Sequence, residues 1–347
     1  MRIAVFADNH WCQYSSILRG RGEKYSLRLE NQIDSLMWLE ATAIAKQCDF
    51  ILCLGDFFDK STLNAEELSA LEEVYGRGRK LLPHQFIVGN HEAVDGQLSY
   101  SSVSAMNMLP KWEYPTVVAM PLKINFGGVE VCYLPYQPES DRKSIRGIFG
   151  DCECKGRIIF SHNDIAGVQY GNAISKFGYT IEEIEESCDL FVNGHIHNGG
   201  KIGKKIVNLG NFTGQNFSED ATKYSHRLMI IDTDTLSYET IDNPRALNFY
   251  KLDFHKTMPT LKERAVVTLR VKEEDIDKAK EWLNNPNILA SRIVVDISKG
   301  NEYNATESGV EAIDHLAKFR EFVHANIGVS QAIDEELELV GAVANEH

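Results

Sequence analysis

Asp49-Phe50-Ile51-Leu52-Cys53-Leu54-Gly55-Asp56 is a short apolar run that stops at a glycine and a carboxylate. A run this short, rich in Ile, Leu, Phe and Cys, reads as a buried β-strand. Upstream, residues 2–8 read as a first strand. A polar segment rich in Arg, Ser and Gly fills 11–30, and a helix is expected over 31–47, where Ile33, Leu36, Met37, Ala41 and Ile44 recur at helical spacing. Downstream, Asn64 with Glu67 three residues on has the form of a capping box. The helix it opens would bury Leu68, Leu71, Val74 and Tyr75. A third strand is expected over 85–88. The first ninety residues therefore alternate β-α-β-α-β, the pattern of a mainly parallel sheet covered by helices.

Beyond residue 115 the pattern shifts to short strands around a Gly127-Gly128 turn, then two buried strands at 157–160 and 190–193. Meander strands follow at 204–209, 227–232 and 236–241. A separate β-α-β block is expected from 258, with strands at 265–271 and 293–297 around a helix at 273–283. After a polar linker at 299–308, two amphipathic helices close the chain. One carries Ala312, Leu316, Phe319 and Val323, and the other Ile333, Leu337 and Val340. The reading divides the chain at 1–254, 255–300 and 301–347.

Composition narrows the function. With 347 residues, 43% hydrophobic and 25% charged, the chain has the make-up of a globular protein, which excludes mostly disordered, collagen-like or coiled-coil classes. The formal charge of −14 argues against a broad nucleic-acid-coating surface. An odd count of seven cysteines in so long a chain fits a reduced, cytoplasmic protein better than a disulfide scaffold. Cys152 and Cys154 fall short of the four ligands of a tetrahedral zinc site. No apolar run approaches the ~20 residues that span a bilayer, and the apolar run at the N-terminus is too short for a signal peptide.

What stands at the ends of the expected strands is more specific. They end in Asp8-Asn9-His10, Gly55-Asp56, Gly89-Asn90-His91-Glu92, Ser161-His162 and Gly194-His195-Ile196-His197. Sites in open α/β sheets collect outside the carboxyl ends of strands. Asp, Asn and imidazole suit divalent ions of the manganese, iron or zinc type. Strand alternation would send Asp8 and His10 to one side, and would let His195 and His197 point together. One shared carboxylate can bridge two ions about 3.5–4 Å apart, the arrangement used for phosphoester hydrolysis. Each fragment alone is weak. All five in this order, on five strand ends, point to one site.

In that order the motifs resemble those of the calcineurin-like metallophosphoesterases, over roughly residues 1–250. Gly55-Asp56-Phe57-Phe58-Asp59, the chain length and the helical tail resemble the SbcD-type subgroup of DNA double-strand-break-repair nucleases, and the compact length looks most like its phage versions. The resemblance implies an α/β (α+β) fold: a four-layer β-sandwich flanked by helices, with a small β-α-β capping domain and C-terminal helices. It implies a first metal on Asp8, His10 and His197, a second on Asn90, His162 and His195, and Asp56 bridging both. His91 would face the phosphate as general acid or transition-state stabiliser, and Asp59 would orient a ligand histidine. The cofactors implied are two divalent ions, Mn2+ or alternatively Mg2+. The partners implied are DNA ends and single strands, an SMC-like ATPase that docks on Ile333, Leu337 and Val340, and a second copy of the chain.

Candidate DNA contacts are Arg19, Arg21, Lys24 and Arg28, since affinity for DNA rests on cations that meet phosphates. Asp164, two residues past His162, is left open as a support or a disturbance of the second metal. Two rivals remain. One is a phosphoprotein phosphatase or cyclic-nucleotide phosphodiesterase of the same superfamily, active without DNA or partner. The other is a non-enzymatic DNA-end scaffold, against which the chemically competent site positions argue.

Overall fold

The structure is a computed structural model that describes residues 1–76, 81–93, 104–170, 173–217, 219–254 and 257–296. In chain order its first part comprises β1 (Arg2–Phe6), α1 (Leu27–Ala45), β2 (Phe50–Cys53), α2 (Ala65–Tyr75), β3 (His84–Ile87), a 3-10 turn (Ala105–Lys111) and β4 (Pro115–Val118). Then come β5 (Leu122–Phe126), β6 (Val129–Leu134), α3 (Ile145–Phe149), β7 (Gly156–Ser161), β8 (Gln169–Tyr170), β9 (Ala173–Ile174), α4 (Ile181–Ser187) and β10 (Leu190–Asn193). The rest is β11 (Gly200–Ile202), β12 (Ile206–Asn208), β13 (Arg227–Asp232), β14 (Ser237–Asp242), β15 (Asn248–Asp253), β16 (Ala265–Lys272), a 3-10 turn (Glu273–Asp275), α5 (Ile276–Trp282) and β17 (Ile288–Asp296).

Two six-stranded sheets form the centre, in the orders β14-β13-β1-β2-β3-β4 and β11-β12-β10-β7-β6-β5. Each has four parallel strands: β1, β2, β3 and β4 in one, and β12, β10, β7 and β6 in the other. The remaining strands pair antiparallel at the edges. The period of two along β1 sorts the layers: Ala4 and Phe6 join the core under α1 and α2, while Ile3 and Val5 join the core between the sheets. Residues of the second sheet repeat this, with Val131, Ile158 and Val192 inward and Cys132, Ile159 and Phe191 outward onto α3 and α4. Helix, sheet, sheet and helix make four layers, as expected of a sandwich flanked by helices.

The elements depart from the sequence reading where tertiary contacts override local pattern. Helix α1 starts four residues earlier than expected, because the hydroxyl of Ser26 accepts from Leu29 N and caps it. Its buried face runs through Leu29, Ile33, Leu36, Leu39 and Ala43, whereas Met37 and Ile44 are exposed. Helix α2 starts at the expected capping box, with Leu71, Val74 and Tyr75 buried and Leu68 at the surface. The helix expected over 273–283 splits into a 3-10 turn and α5. Strands β15, β16 and β17 form a third sheet, parallel throughout, in which Asn248 through Asp253 pair with Ala265 through Arg270. The tail helices expected after 300, with Ile333, Leu337 and Val340, lie outside the described residues. Among those described, no helix is long and apolar enough to cross a membrane.

Candidate metal centre

The five quoted motifs converge at the carboxyl ends of β1, β2 and β3 in one sheet and of β7 and β10 in the other. The chain leaves these strands through unusual backbone. Asp8, His10, Asp56 and His195 have φ of 49°, 46°, 46° and 72°. They are four of the seven non-glycine residues in the left-handed region among those described, and such strain collects at functional sites. Asp8 and His10 thus reach the site through a left-handed turn after β1, and strand alternation is not what aligns them. Backbone bonds fasten that turn to the next one: Asp8 N donates to Gly55 O (3.1 Å) and His10 N to Asp56 O (3.0 Å).

The potential ligand atoms gather in overlapping groups. Asp8, His10 and His197 form one, Asp56, His162 and His195 another, and His10, Asp56 and His91 a third. His195 and His197, two apart in sequence, therefore divide between groups. His10 Nε2 and His197 Nε2 are 3.1 Å apart. His162 Nε2 lies 3.1 Å from Asp56 Oδ2 and 3.2 Å from Asn90 Oδ1. His162 Nδ1–H donates to Leu54 O at 2.8 Å, which turns Nε2 toward the cluster. The Asp8 carboxylate accepts from His195 N at 3.0 Å through each oxygen. Asp164 Oδ1 stands 3.3 Å from His195 Nε2, so it supports that ring.

These residues fit divalent ions. Asp8, Asp56 and His162 are fully or almost fully buried, and so is His10, whose Nδ1 has the Asp59 carboxylate 3.4 Å away. Buried carboxylates require compensating positive charge. Burial opposes the charge of Asp56, yet His162, His10 and His91 hold its carboxyl well below the usual carboxylate range. Against the same burial, Asp56 and Asp8 push His162 up to about 9. Positive charge is favoured beside these carboxylates, and two cations can supply it. Asp8, His10 and His197 would hold one ion, Asn90, His162 and His195 the other, and Asp56 would lie between.

His91 is the exposed member. Its Nδ1–H donates to Asp59 O at 2.8 Å, leaving Nε2 4.0 Å from Asp56 Oδ2. Burial lowers its pKa, but Asp56 and the Asp59 carbonyl outweigh this and raise it. Asp59 also places Oδ1 3.4 Å from His10 Nδ1. One residue therefore steadies both imidazoles, by backbone and by side chain.

The basic patch does not form as expected. Arg28 is buried in the first turn of α1, where its guanidinium donates to Gly214 O and Thr213 Oγ1 at 3.0 Å each. It braces the turn beside Asn9 and has no surface to offer a phosphate. Arg21 pairs with Glu66 (2.6 Å) and Lys24 with Glu73. Arg19 is exposed, with Nε donating to Ser16 O.

Three supporting residues escape the sequence reading. Glu92 is fully buried and accepts from Gly89 N (2.6 Å), Asp56 N (3.2 Å) and Phe58 N (2.9 Å), tying the second turn to the third. Its place in Gly-Asn-His-Glu was the available signal. Burial and Asp56 push its carboxyl up to about 7. Gln32 Nε2 donates to Asn9 O (2.7 Å) and His10 O (2.8 Å). Gln215 Nε2 donates to Asp8 O (3.0 Å) from more than two hundred residues away. No local pattern announces either glutamine. Two glycines are set by close approach: a Cβ on Gly55, at φ +108°, would stand 2.5 Å from His162 Nδ1, and one on Gly89 would stand 2.2 Å from Asp56 Oδ1.

Residues 1–199 match the calcineurin-like phosphoesterase family. A putative phosphoesterase (078R) of Invertebrate iridescent virus 3 is 24% identical over 243 residues, spanning 67% of this chain and 65% of the relative. Another (244L), of Invertebrate iridescent virus 6, is 26% identical over 142 residues, spanning 41% of this chain and 49% of the relative. The chain thus spans less than two thirds of either relative. Among solved structures, an archaeal phosphodiesterase aligns over 70% of this chain and 99% of its own (TM-score 0.34, 10% identity). A dimetal phosphatase from Danio rerio aligns over 70% and 98% (TM-score 0.37, 14% identity).

Proposed function

The chain belongs to the calcineurin-like phosphoesterases, and from that premise we propose that it is a two-metal phosphodiesterase acting on DNA ends and single strands. The observation that carries the hydrolytic part is Asp56, which stands between the two ligand groups with His91 beside it at the open face. The DNA substrate rests on the resemblance of Gly55-Asp56-Phe57-Phe58-Asp59 and of the chain organisation to the repair nucleases.

Two divalent ions, manganese or alternatively magnesium, supply charge to draw the phosphate oxygens and to acidify the attacking water. The protein's own groups do the rest. The tie from Nδ1–H to Asp59 O holds the His91 ring so that Nε2 faces the site, where it can pass a proton to the departing oxygen. Glu92 and Gln32 hold the turns that carry Asp56 and His10. In this reading the 255–300 block caps the nuclease core, the 301–347 tail docks an SMC-like ATPase, and two copies pair. Grip on DNA then falls largely to that partner, since Arg28 is buried and Arg21 and Lys24 are paired. The same neutralised patch favours a second reading, a phosphatase or cyclic-nucleotide phosphodiesterase that needs no DNA.

The test is manganese-dependent degradation of end-labelled duplex and single-stranded DNA, beside a His91→Ala control and bis(p-nitrophenyl) phosphate. DNA cleavage that disappears in the variant supports the nuclease. Hydrolysis of the small diester alone, with and without the ATPase, supports the second reading.

A further inference from the structure

A cavity of about 310 Å³ is lined in part by Asp59. Its walls include Gln13, Tyr14, Asp59, Thr62, Leu63 and Asn64. It lies between the turn that follows His10 and the turn that opens α2. Asp59 joins it to the chemistry, since the same residue approaches His10 through Oδ1 and accepts from His91 through its carbonyl. The cavity therefore borders the residue that holds both His10 and His91 at the centre.

Its lining is wrong for a phosphate. Asp59 and Glu67 bring two carboxylates against one lysine, Lys60. Both Glu67 oxygens are already taken, one by Gln13 N (2.9 Å) and the other by Asn64 N (3.0 Å). The lining suits a neutral, flat, donor-bearing ring. Tyr14 leaves 76% of its surface exposed, an aromatic face available for stacking. Leu63 gives an apolar floor, and the Asp59 carboxylate and Gln13 amide are acceptors of the kind that read the amino groups of a base. The volume is at the lower end for small-ligand sites, where a single base or nucleoside fits.

We infer that this cavity is a nucleobase subsite, which seats the base of one of the two nucleotides flanking the phosphate held at the metal centre, with Tyr14 stacked on it. This deepens the phosphodiesterase reading and rests on it. The test must not depend on DNA cleavage. Slowly hydrolysed dinucleoside phosphorothioates are measured as competitive inhibitors of bis(p-nitrophenyl) phosphate hydrolysis, with both bases present, or with one or the other nucleoside replaced by an abasic tetrahydrofuran. In the wild-type protein, removing one of the two bases is expected to weaken inhibition roughly 10-fold or more, and removing the other far less, since a stacked base contributes on that scale. In Tyr14→Ala, and in Thr62→Trp, which fills the cavity, that difference is expected to vanish. Equal losses for both bases, or a difference that persists in both variants, overturns the inference. Failure to cleave DNA while the base difference holds would overturn only the nuclease reading.

Discussion

The four parallel strands of each six-stranded sheet and the all-parallel three-stranded sheet share one plan, and they end very differently. At the carboxyl ends of β1, β2, β3, β7 and β10 stand all the groups of three potential ligand side chains found among the described residues. Among the described residues none stands at the ends of β15, β16 and β17. The contrast is in the turns. Four ligand candidates leave the sandwich strands in left-handed backbone, with turns bonded to one another and carboxylates buried beneath them. Strand β16 instead runs from an extended Lys272 straight into a surface 3-10 turn. A parallel sheet supplies converging strand ends. Strained, mutually bonded turns make a site of them.

The comparison breaks most completely at Asp56. Asp56→Ala removes the residue common to two ligand groups and is expected to lose both ions, counted by atomic emission. Hydrolysis should fall at least about a thousandfold, because the metals' share of transition-state stabilisation is several kcal/mol. A chain that keeps two ions after this change contradicts the bridging role. His91→Ala is expected to lower turnover roughly 10²- to 10⁴-fold while both ions stay bound, which separates proton donation from ligation. Loss of metal in that variant would make His91 a ligand.

Smaller effects probe the turns. Gly89→Ala drives a Cβ to 2.2 Å from Asp56 Oδ1 and is expected to weaken metal binding about 10- to 100-fold by titration. Gly200→Ala, on β11 with open space around the new methyl, should leave metal affinity unchanged. At the bottom of the scale is the three-stranded sheet. Arg292 lies 4.0 Å from the Phe217 ring centroid and donates to Thr268 Oγ1 at an exposed site. Arg292→Ala should cost at most about 1 kcal/mol in urea unfolding, with metal content intact. A loss of metal there would mean the two regions are coupled.

How much was legible follows from the range of the signal. Strands at 2–8, 49–55 and 190–193 were legible because burial on both faces leaves continuous apolar runs. The capping box at Asn64 and Glu67 was legible because it is a four-residue pattern, local to the chain. The start of α1 was not, because Ser26 and the buried Arg28 lie in a stretch whose polarity looks like loop. Met37 and Ile44 fit a helical stripe, yet the core chose the face through Leu39 and Ala43. Arg28 looked like a phosphate contact because its acceptors, Thr213 and Gly214, are about 185 residues away.

By itself the sequence determined the class of layers, through its alternation of periods, and the inventory of ligand-type side chains, through motifs a few residues long. Only the tertiary structure decided how that inventory is divided. His197 stands against His10 across 187 residues, while His195 lies with His162 and Asp164. It also decided that Glu92, Gln32 and Gln215 hold the turns, and that a cavity opens beside Asp59. The physical reason is distance along the chain. Periodicity and caps act within a few residues, where propensity leaves a mark on composition. A metal centre is closed by contacts between strand ends far apart in sequence, whose partners are chosen only when two sheets pack and bury the charge between them.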